Sequence, residues 1–135
     1  MVSRSIPLIA VVDDEEPIRK SLARLLRSAG MDVETFLSGV EFLAFCQTRQ
    51  PDCVVLDLYM PVINGLEVQS RLAESATPVP VVIITGHDSA EMRDLVLAGR
   101  PIAYLRKPVN DDTLLDAIEL ALKHHPSASE GEKSS

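Results

Sequence analysis

The chain has 135 residues, a formal net charge of −7 and 46% hydrophobic residues. These values fit one globular domain with a single core, exclude a disordered chain, and leave no apolar run long enough to cross a membrane. The acidic balance and the lack of a run of lysines and arginines argue against direct binding of nucleic acid, and the N-terminus has no signal-peptide core, so we expect a cytoplasmic protein.

Short apolar runs alternate along the chain with segments whose apolar residues recur at helical spacing. In chain order, the first half predicts a strand over 6–12, a helix from Pro17 to Gly30, a strand over 32–36, a helix capped by Ser38 and a strand over 53–57. The second half predicts a helix after Asn64-Gly65, a strand over 81–85, a helix over 89–98, a strand over 102–106 and a last helix capped by Asn110. Prolines, glycines and side-chain caps mark most of these boundaries.

The alternation of strands and helices predicts the fold. Apolar strands without a polar alternate indicate a parallel sheet that is covered on both faces. Right-handed crossovers leave few topologies, and we expect an α/β doubly wound sheet of five strands, in the order 2-1-3-4-5, flanked by five helices. One domain is expected over residues 1–125. Residues 126–135 are small and polar, so we expect a flexible C-terminal tail.

Charged and polar side chains follow several of the predicted strands, at the edge of the sheet where such folds bind ligands. They are Asp13 and Asp14 after the first strand, Asp57 at the end of the third, Thr85 at the end of the fourth and Lys107 after the fifth. Clustered carboxylates stay ionised only beside a cation, and oxygen ligands without His or Cys select Mg²⁺. With Lys107 opposite, such a site suits a phosphoryl group, and Asp57, on the central strand, is the nucleophile we expect to accept it.

These residues lie in motifs that together resemble the response-regulator receiver domain of two-component signalling, over residues 6 to about 124. The motifs are Val11-Val12-Asp13-Asp14, Leu56-Asp57-Leu58, Met60-Pro61, Asn64-Gly65, Ile84-Thr85-Gly86 and Tyr104-Leu105-Arg106-Lys107-Pro108. Residues 25–30 and Gly86-His87 are similar to the FixJ/NarL-like type, which usually carries a DNA-binding output domain after the receiver. If this is the natural length, we expect a stand-alone receiver whose output is protein contact; a truncated chain would have lost a transcription-factor output.

The resemblance implies the flavodoxin-like receiver fold and a set of metal ligands. Asp57 would be the phosphoacceptor and would also contact the metal. Asp14 would hold Mg²⁺ directly and Asp13 through a water molecule, and the backbone carbonyl of Tyr59 would complete the protein ligands.

The resemblance also implies a switch. Lys107 would pair with the phosphate, Thr85 would bond a phosphate oxygen, and Tyr104 would change rotamer with it. A cis peptide bond between Lys107 and Pro108 is implied as well, which suits the near confinement of cis bonds to X-Pro. From the residues themselves, a phosphoryl group on Asp57 adds strong acceptors that would draw the Thr85 hydroxyl inward. The change would reach the surface of the fourth helix, fifth strand and fifth helix.

The expected function is a phosphorylation-controlled binding module. A sensor histidine kinase or a phosphotransfer protein would donate the phosphoryl group to Asp57, and a downstream protein would bind the changed surface. We do not expect an enzyme beyond the chain's own phosphoryl transfer and dephosphorylation. We expect no membrane contact, and either a monomer or a phosphorylation-linked homodimer.

Two alternatives stay open. An aspartyl phosphohydrolase would need an acid/base carboxylate two residues after its nucleophile, where this chain has Tyr59. A nucleotide or flavin binder would need a glycine-rich phosphate loop after the first strand, where this chain has acids that would repel a phosphate in the absence of a metal.

Several features lie outside the common pattern. Tyr59 is bulky beside the acceptor and is expected to slow the access of water or donor. The segment 99–104 has one residue more than expected between glycine and aromatic, with a proline inside it, which affects the join before the fifth strand.

His87 is expected to be an exposed loop residue outside the site, and Cys46 and Cys53 are expected to be free thiols.

Overall fold

The computed structural model describes residues 6–76 and 78–123, which form five strands and five helices. In chain order they are β1 Leu8–Val12, α1 Glu16–Ser28, β2 Asp32–Phe36, α2 Gly39–Phe45, β3 Cys53–Asp57, α3 Gly65–Ala73, β4 Val81–Thr85, α4 Ala90–Ala98, β5 Ala103–Arg106 and α5 Asp111–Lys123. None of the helices within these ranges is both long and apolar enough to cross a bilayer. The predicted domain end at residue 125 and the predicted tail at 126–135 lie outside the described residues.

All strands run parallel in one sheet of order β2-β1-β3-β4-β5, which confirms the predicted doubly wound topology. The three inner strands β1, β3 and β4 are buried along their whole length. Successive residues of a strand face opposite sides of the sheet, so a sheet covered on both faces favours apolar residues along the whole strand. This is why the inner strands could be recognised as unbroken apolar runs. The exceptions are Asp57 and Thr85, the last residues of β3 and β4.

The core is divided by the sheet into two layers. Ile9 and Val11 of β1 pack in the layer that contains α1 and α5 residues, whereas Ala10 and Val12 pack in the layer that contains α2, α3 and α4 residues. The first strand begins two residues later than predicted. Proline cannot donate to a strand ladder, so pairing by both backbone groups starts after Pro7, although its carbonyl accepts a bond from the Asp32 N–H at 3.0 Å.

The outermost strand β2 differs from the prediction that all strands are apolar without a polar alternate. Among its residues only Val33 is buried, and Asp32, Glu34 and Thr35 are exposed. It lies at one end of the strand order and pairs with β1 alone. A guanidinium nitrogen of Arg27 donates to the Val33 carbonyl oxygen at 3.3 Å. The helix therefore covers part of the free edge of the sheet.

The caps predicted at Ser38 and Asn110 are observed, and Asn64 and Ser89 cap helices as well. Each cap side chain accepts a hydrogen bond from the backbone N–H three residues later, which satisfies one of the free donors of the first turn. These caps are Ser38 at 3.1 Å, Asn64 at 2.9 Å, Ser89 at 3.1 Å and Asn110 at 3.0 Å. Helix α1 begins at Glu16, one residue before the predicted Pro17. Gly30 follows α1 with a φ of 91°, the left-handed conformation that ends many helices.

The extra residue in the segment 99–104 is accommodated before β5 begins. Arg100 adopts a φ of 58°, and the Ile102 N–H then donates to the Val81 carbonyl at 2.7 Å. From there β5 pairs with β4 in regular register, with Val82 opposite Ala103. The longer join changes the loop but leaves the position of the strand intact.

Gly65 begins α3 in close contact with the end of β3. A Cβ atom at residue 65 would lie 2.7 Å from the carbonyl oxygen of Asp57 and 2.9 Å from the Cα atom of Leu58. These are backbone atoms, so they cannot swing aside as a flexible side chain would. We expect Gly65→Ala to lower the free energy of unfolding by about 1–3 kcal/mol, measured by urea denaturation.

The control for this exchange is Gly86→Ala. A Cβ atom at residue 86 would meet only the Cδ atom of Lys107, at an ordinary 3.7 Å, and we expect a change within about 0.5 kcal/mol. Equal stability of the two alanine variants would contradict the steric argument.

Candidate functional site

The carboxyl ends of the strands bring the predicted acidic residues together. Asp13 directly follows β1 and is fully buried, and Asp57 is the last residue of β3 with 3% of its surface exposed. The register places Val12 opposite Leu56, so the residues that follow them lie side by side. One carboxylate oxygen from each of Asp13, Asp14 and Asp57 lies within 4.8 Å of the others.

The surroundings of Asp57 raise the pKa of its carboxyl. Burial raises the pKa of its carboxyl from 3.8 to about 7, and the charges of Asp13 and Asp14 act in the same direction. Lys107 opposes the rise through its charge and a hydrogen bond. A raised pKa means that the ionised form is disfavoured here. The site therefore favours the arrival of additional positive charge.

Lys107 is the ammonium group of this site. Its Nζ atom lies 2.9 Å from Asp13 Oδ2, 3.1 Å from Glu15 Oε1 and 3.4 Å from Asp57 Oδ1. Burial acts to lower the pKa of Lys107, but its hydrogen bonds and the neighbouring carboxylates outweigh burial, and the pKa is raised. The peptide bond between Lys107 and Pro108 is cis, as predicted.

The carboxylates of Asp13, Asp14 and Asp57 offer ligands that suit a divalent cation. Three carboxylates without a histidine or cysteine form the oxygen-only environment that Mg²⁺ prefers. The buried Asp13 Oδ2 atom is paired with Lys107 but accepts no hydrogen bond of good geometry from the described part of the chain. A buried carboxylate oxygen is normally satisfied. These residues therefore fit a hard cation with open positions for water or phosphate.

A cavity of about 270 Å³ opens above the carboxylates. Its lining residues are Asp14, Glu15, Asp57, Tyr59, Gly86, His87 and Lys107. The ring of Tyr59 contacts the imidazole of His87 edge to face, with centroids 5.5 Å apart. His87 is exposed as expected, and it also lines the cavity, although it is not among the expected site residues.

Thr85, at the end of β4, directs its hydroxyl toward its own loop in this structure. Its Oγ1 atom donates to the His87 carbonyl at 2.7 Å and accepts from the His87 N–H at 3.1 Å. Only 1% of the residue is exposed. An approach of this hydroxyl to the cavity would therefore require both bonds to break.

Tyr104 lies on β5, half-buried, and its hydroxyl is engaged by the loop that follows β4. The phenol donates to Asp88 Oδ1 at 3.0 Å, and Asp88 Oδ2 accepts from Arg93 at 2.9 Å. Burial and the hydrogen bond to Asp88 both raise the pKa of Tyr104. The ring packs at the edge of the core layer that contains α4.

Sequence reasoning did not find Glu15 and Asp88 as partners in this region. Glu15 is the third of four consecutive acids, and nothing in the sequence distinguishes it from its neighbours. Asp88 lies three residues after Thr85 in a loop, where side-chain direction follows from loop conformation. Neither carries a sequence signal that separates it from a solvated acid.

A second and larger cavity of about 490 Å³ lies away from the acids, between α1 and β2. Its lining residues are Glu16, Arg19, Lys20, Ala23, Arg24, Arg27 and Thr35. Four of these side chains are basic, and they are not detected as a run of positive charge in the sequence because they are spaced along the helix. Two of them hold backbone carbonyls, since Arg19 donates to the Asp13 carbonyl at 2.8 Å and Arg27 to that of Val33.

Comparison with known proteins points to one family. The response regulator receiver domain family matches residues 9–119. The response regulator protein TmoT of Ectopseudomonas mendocina is 35% identical over 123 residues, which cover 91% of this chain and 56% of TmoT. The transcriptional regulatory protein FixJ of Rhizobium meliloti is 35% identical over 116 residues, which cover 86% of this chain and 57% of FixJ. The chain spans slightly more than half the length of these curated relatives.

Solved structures agree with this match. A response regulator receiver protein from Burkholderia phymatum is 44% identical, with a TM-score of 0.76 over 89% of this chain and 98% of that one. The BeF3-activated DrrB receiver domain is 28% identical, with a TM-score of 0.79 over 89% of this chain and the whole of that one.

Proposed function

This chain belongs to the response regulator receiver domain family, and from that membership we propose that Asp57 accepts a phosphoryl group. Receiver domains of this family act in phosphorylation-dependent signalling, and this chain is such a signalling domain. We propose that Mg²⁺ is held by Asp13, Asp14, Asp57 and the backbone carbonyl of Tyr59. The observation that carries the proposal is the meeting of three carboxylates within 4.8 Å beside the Lys107 ammonium.

The proposed reaction follows from the positions of these side chains. A carboxylate oxygen of Asp57 attacks the phosphorus atom of the donor, the bond from phosphorus to the leaving group breaks, and an acyl phosphate forms on Asp57. Lys107, which lies 3.4 Å from Asp57 Oδ1, is placed to pair with an oxygen of the transferred group. A bound Mg²⁺ would neutralise charge on the phosphoryl oxygens during transfer.

The proposed switch begins at Thr85. The phosphoryl group adds acceptor oxygens near the end of β3, and the Thr85 hydroxyl would leave the His87 carbonyl to donate to one of them. Tyr104 would then change rotamer, and the surface formed by α4, β5 and α5 would change with it. Thr85→Ala should keep phosphoryl acceptance but lose the change in partner binding.

The proposed partners follow the family. We propose that a sensor histidine kinase or a phosphotransfer protein donates the phosphoryl group and that a downstream protein binds the phosphorylated form. We propose that this chain is a monomer or a phosphorylation-linked homodimer. We propose no catalysis beyond the chain's own phosphorylation and dephosphorylation. The net charge of −7 favours proteins over nucleic acids as partners. The free thiols of Cys46 and Cys53 support a reducing, cytoplasmic location.

Intact-mass analysis tests the proposed reaction. Incubation with acetyl phosphate and Mg²⁺ should add one phosphoryl group to the wild type, and a chelator should prevent the addition. Asp57→Asn should remain unmodified because the amide is not a nucleophile of this kind. The control is Asp116→Asn, which changes an exposed acid on α5 and should be modified like the wild type. Modification of Asp57→Asn to the wild-type extent would contradict the assignment.

A further inference from the structure

We propose that Asp88 is a positioning residue for the phosphoryl-transfer site, because its carboxylate ties the loop held by Thr85 to the Tyr104 hydroxyl. The inference rests on the proposed function and adds a residue through which the site is held in its unphosphorylated arrangement. Asp88 is placed in the short loop between β4 and α4, and its side chain is 18% exposed.

Both carboxylate oxygens of Asp88 are engaged by other elements. Oδ1 accepts the Tyr104 hydroxyl of β5 at 3.0 Å, and Oδ2 pairs with Arg93 of α4 at 2.9 Å. Arg106 of β5 lies further from Oδ2, at 4.0 Å. Hydrogen bonds to a charged acceptor are among the strong ones. One side chain thus joins the loop, a helix and the neighbouring strand.

The loop is held at its other end by the site itself. The Thr85 hydroxyl makes two bonds with His87, the residue immediately before Asp88. The next residue, Ser89, caps α4 through the Met92 N–H. A movement of the Thr85 hydroxyl toward the cavity breaks the bonds to His87, so the backbone that carries Asp88 loses its anchor.

The energetic consequence has a definite sign. The hydrogen bonds of Asp88 and those of Thr85 stabilise the same loop conformation. Formation of one set of bonds therefore makes formation of the other set more favourable. In the proposed switch, Thr85 leaves this arrangement when Asp57 carries the phosphoryl group. Removal of the Asp88 carboxylate therefore shifts the population toward the arrangement that accepts the phosphoryl group.

Two variants separate the hydrogen bond from the ion pair. Asp88→Ala removes both, whereas Asp88→Asn keeps an oxygen that can accept from Tyr104 and loses the charge that attracts Arg93. The matched control is Asp94→Ala, which removes an exposed acid from α4. Because Asp94 carries the same charge as Asp88, the control accounts for the change in net charge.

The first measurement reads the bond without any phosphoryl group. In a Tyr59→Phe background, Tyr104 is the remaining tyrosine, and its ionisation can be followed by ultraviolet absorbance. The Asp88 hydrogen bond and charge raise the pKa of Tyr104, whereas the Arg93 charge lowers it. We expect the pKa to fall in Asp88→Ala, to fall less in Asp88→Asn and to remain unchanged in Asp94→Ala. An unchanged pKa of Tyr104 in Asp88→Ala would contradict the hydrogen bond between Tyr104 and Asp88 and would overturn the proposal.

The second measurement reads the coupling to the site. We expect Asp88→Ala to lower the acetyl phosphate concentration needed for half-maximal labelling of Asp57 by about fivefold, within the usual range of coupling between sites. Tyr104→Phe should have a similar effect, and the double variant should add little to either single change. Asp94→Ala should match the wild type.

The outcomes distinguish this inference from the function it rests on. A wild type that gains no phosphoryl group would overturn the proposed function and, with it, the coupling. A labelled wild type together with equal labelling curves for Asp88→Ala and Asp94→Ala would overturn the coupling alone. Fully additive effects of Asp88→Ala and Tyr104→Phe would also overturn it, because the two side chains would then act independently.

Discussion

Exchange of Lys107 for methionine is expected to lower the free energy of unfolding by about 3 kcal/mol in metal-free buffer at pH 8. The reason is that Asp13 and Asp57 are almost fully buried, and the Lys107 ammonium lies within 3.4 Å of both. Loss of one partner leaves buried negative charge without compensation. Methionine keeps most of the apolar stem, so the change reports mainly on the ammonium. Urea denaturation gives the measurement.

Lys20→Met is the control for this experiment. Lys20 pairs with Glu16 at 3.2 Å, but both side chains are more than half exposed, at 72% and 62%, so the expected loss is about 0.5 kcal/mol or less. Addition of Mg²⁺ should restore more stability to Lys107→Met than to the wild type, since a divalent cation replaces the missing charge. A Lys107→Met variant that is as stable as Lys20→Met would contradict the argument.

Asp57→Asn is expected to have the opposite effect on stability and to raise the free energy of unfolding by about 2 kcal/mol at pH 8 without metal. In the folded wild type, the pKa of the Asp57 carboxyl is raised from 3.8 to about 7, mainly by burial and to a smaller extent by the charge of Asp13. This difference corresponds to at most about 4 kcal/mol, and we expect about half of that because the cavity beside Asp57 is open to solvent, which screens the charge. Lys107 keeps two acidic neighbours, Asp13 and Glu15, in the variant.

The pH dependence has a sign that follows from linkage. The folded state binds the Asp57 proton more tightly than the unfolded state does. The contribution of the Asp57 carboxyl to the free energy of unfolding is therefore fully present below about pH 4 and is lost as the pH rises through about 7. The wild type should therefore lose stability between pH 4 and pH 7 relative to Asp57→Asn. Asp116→Asn, which changes an exposed acid, should retain the wild-type profile. Parallel profiles of stability against pH for the wild type and Asp57→Asn would contradict a raised pKa of the Asp57 carboxyl in the folded state.

Much of the fold follows from local rules that act along the chain. The unbroken apolar runs of β1, β3 and β4 indicate strands covered on both faces, because a polar residue at any position would be buried. The topology then brings the strand ends together, and this is why Asp13, Asp57 and Lys107 could be placed in one site from the sequence. Asn64 and Ser89 follow the same logic at helix starts.

The remaining features depend on loop conformation, for which the sequence has no periodic signal. Glu15 reaches Lys107 and Asp88 reaches Tyr104 only because of how their loops turn. Val62, with a φ of 72°, adopts a left-handed conformation that is rare for a β-branched residue. No local preference of the sequence predicts it, and the side chain is 91% exposed, so burial of the side chain does not account for it.

The contact between Arg27 and Val33 has a consequence for how this protein behaves at high concentration. A strand that is paired on one side offers its remaining backbone groups to any other extended chain, and such edges are starting points for intermolecular sheets and fibrils. On β2 the guanidinium occupies one of these carbonyls, and the exposed carboxylates of Asp32 and Glu34 would repel the same strand of a second molecule. The exposed polar residues of β2 therefore disfavour pairing of this edge with a second copy of the chain.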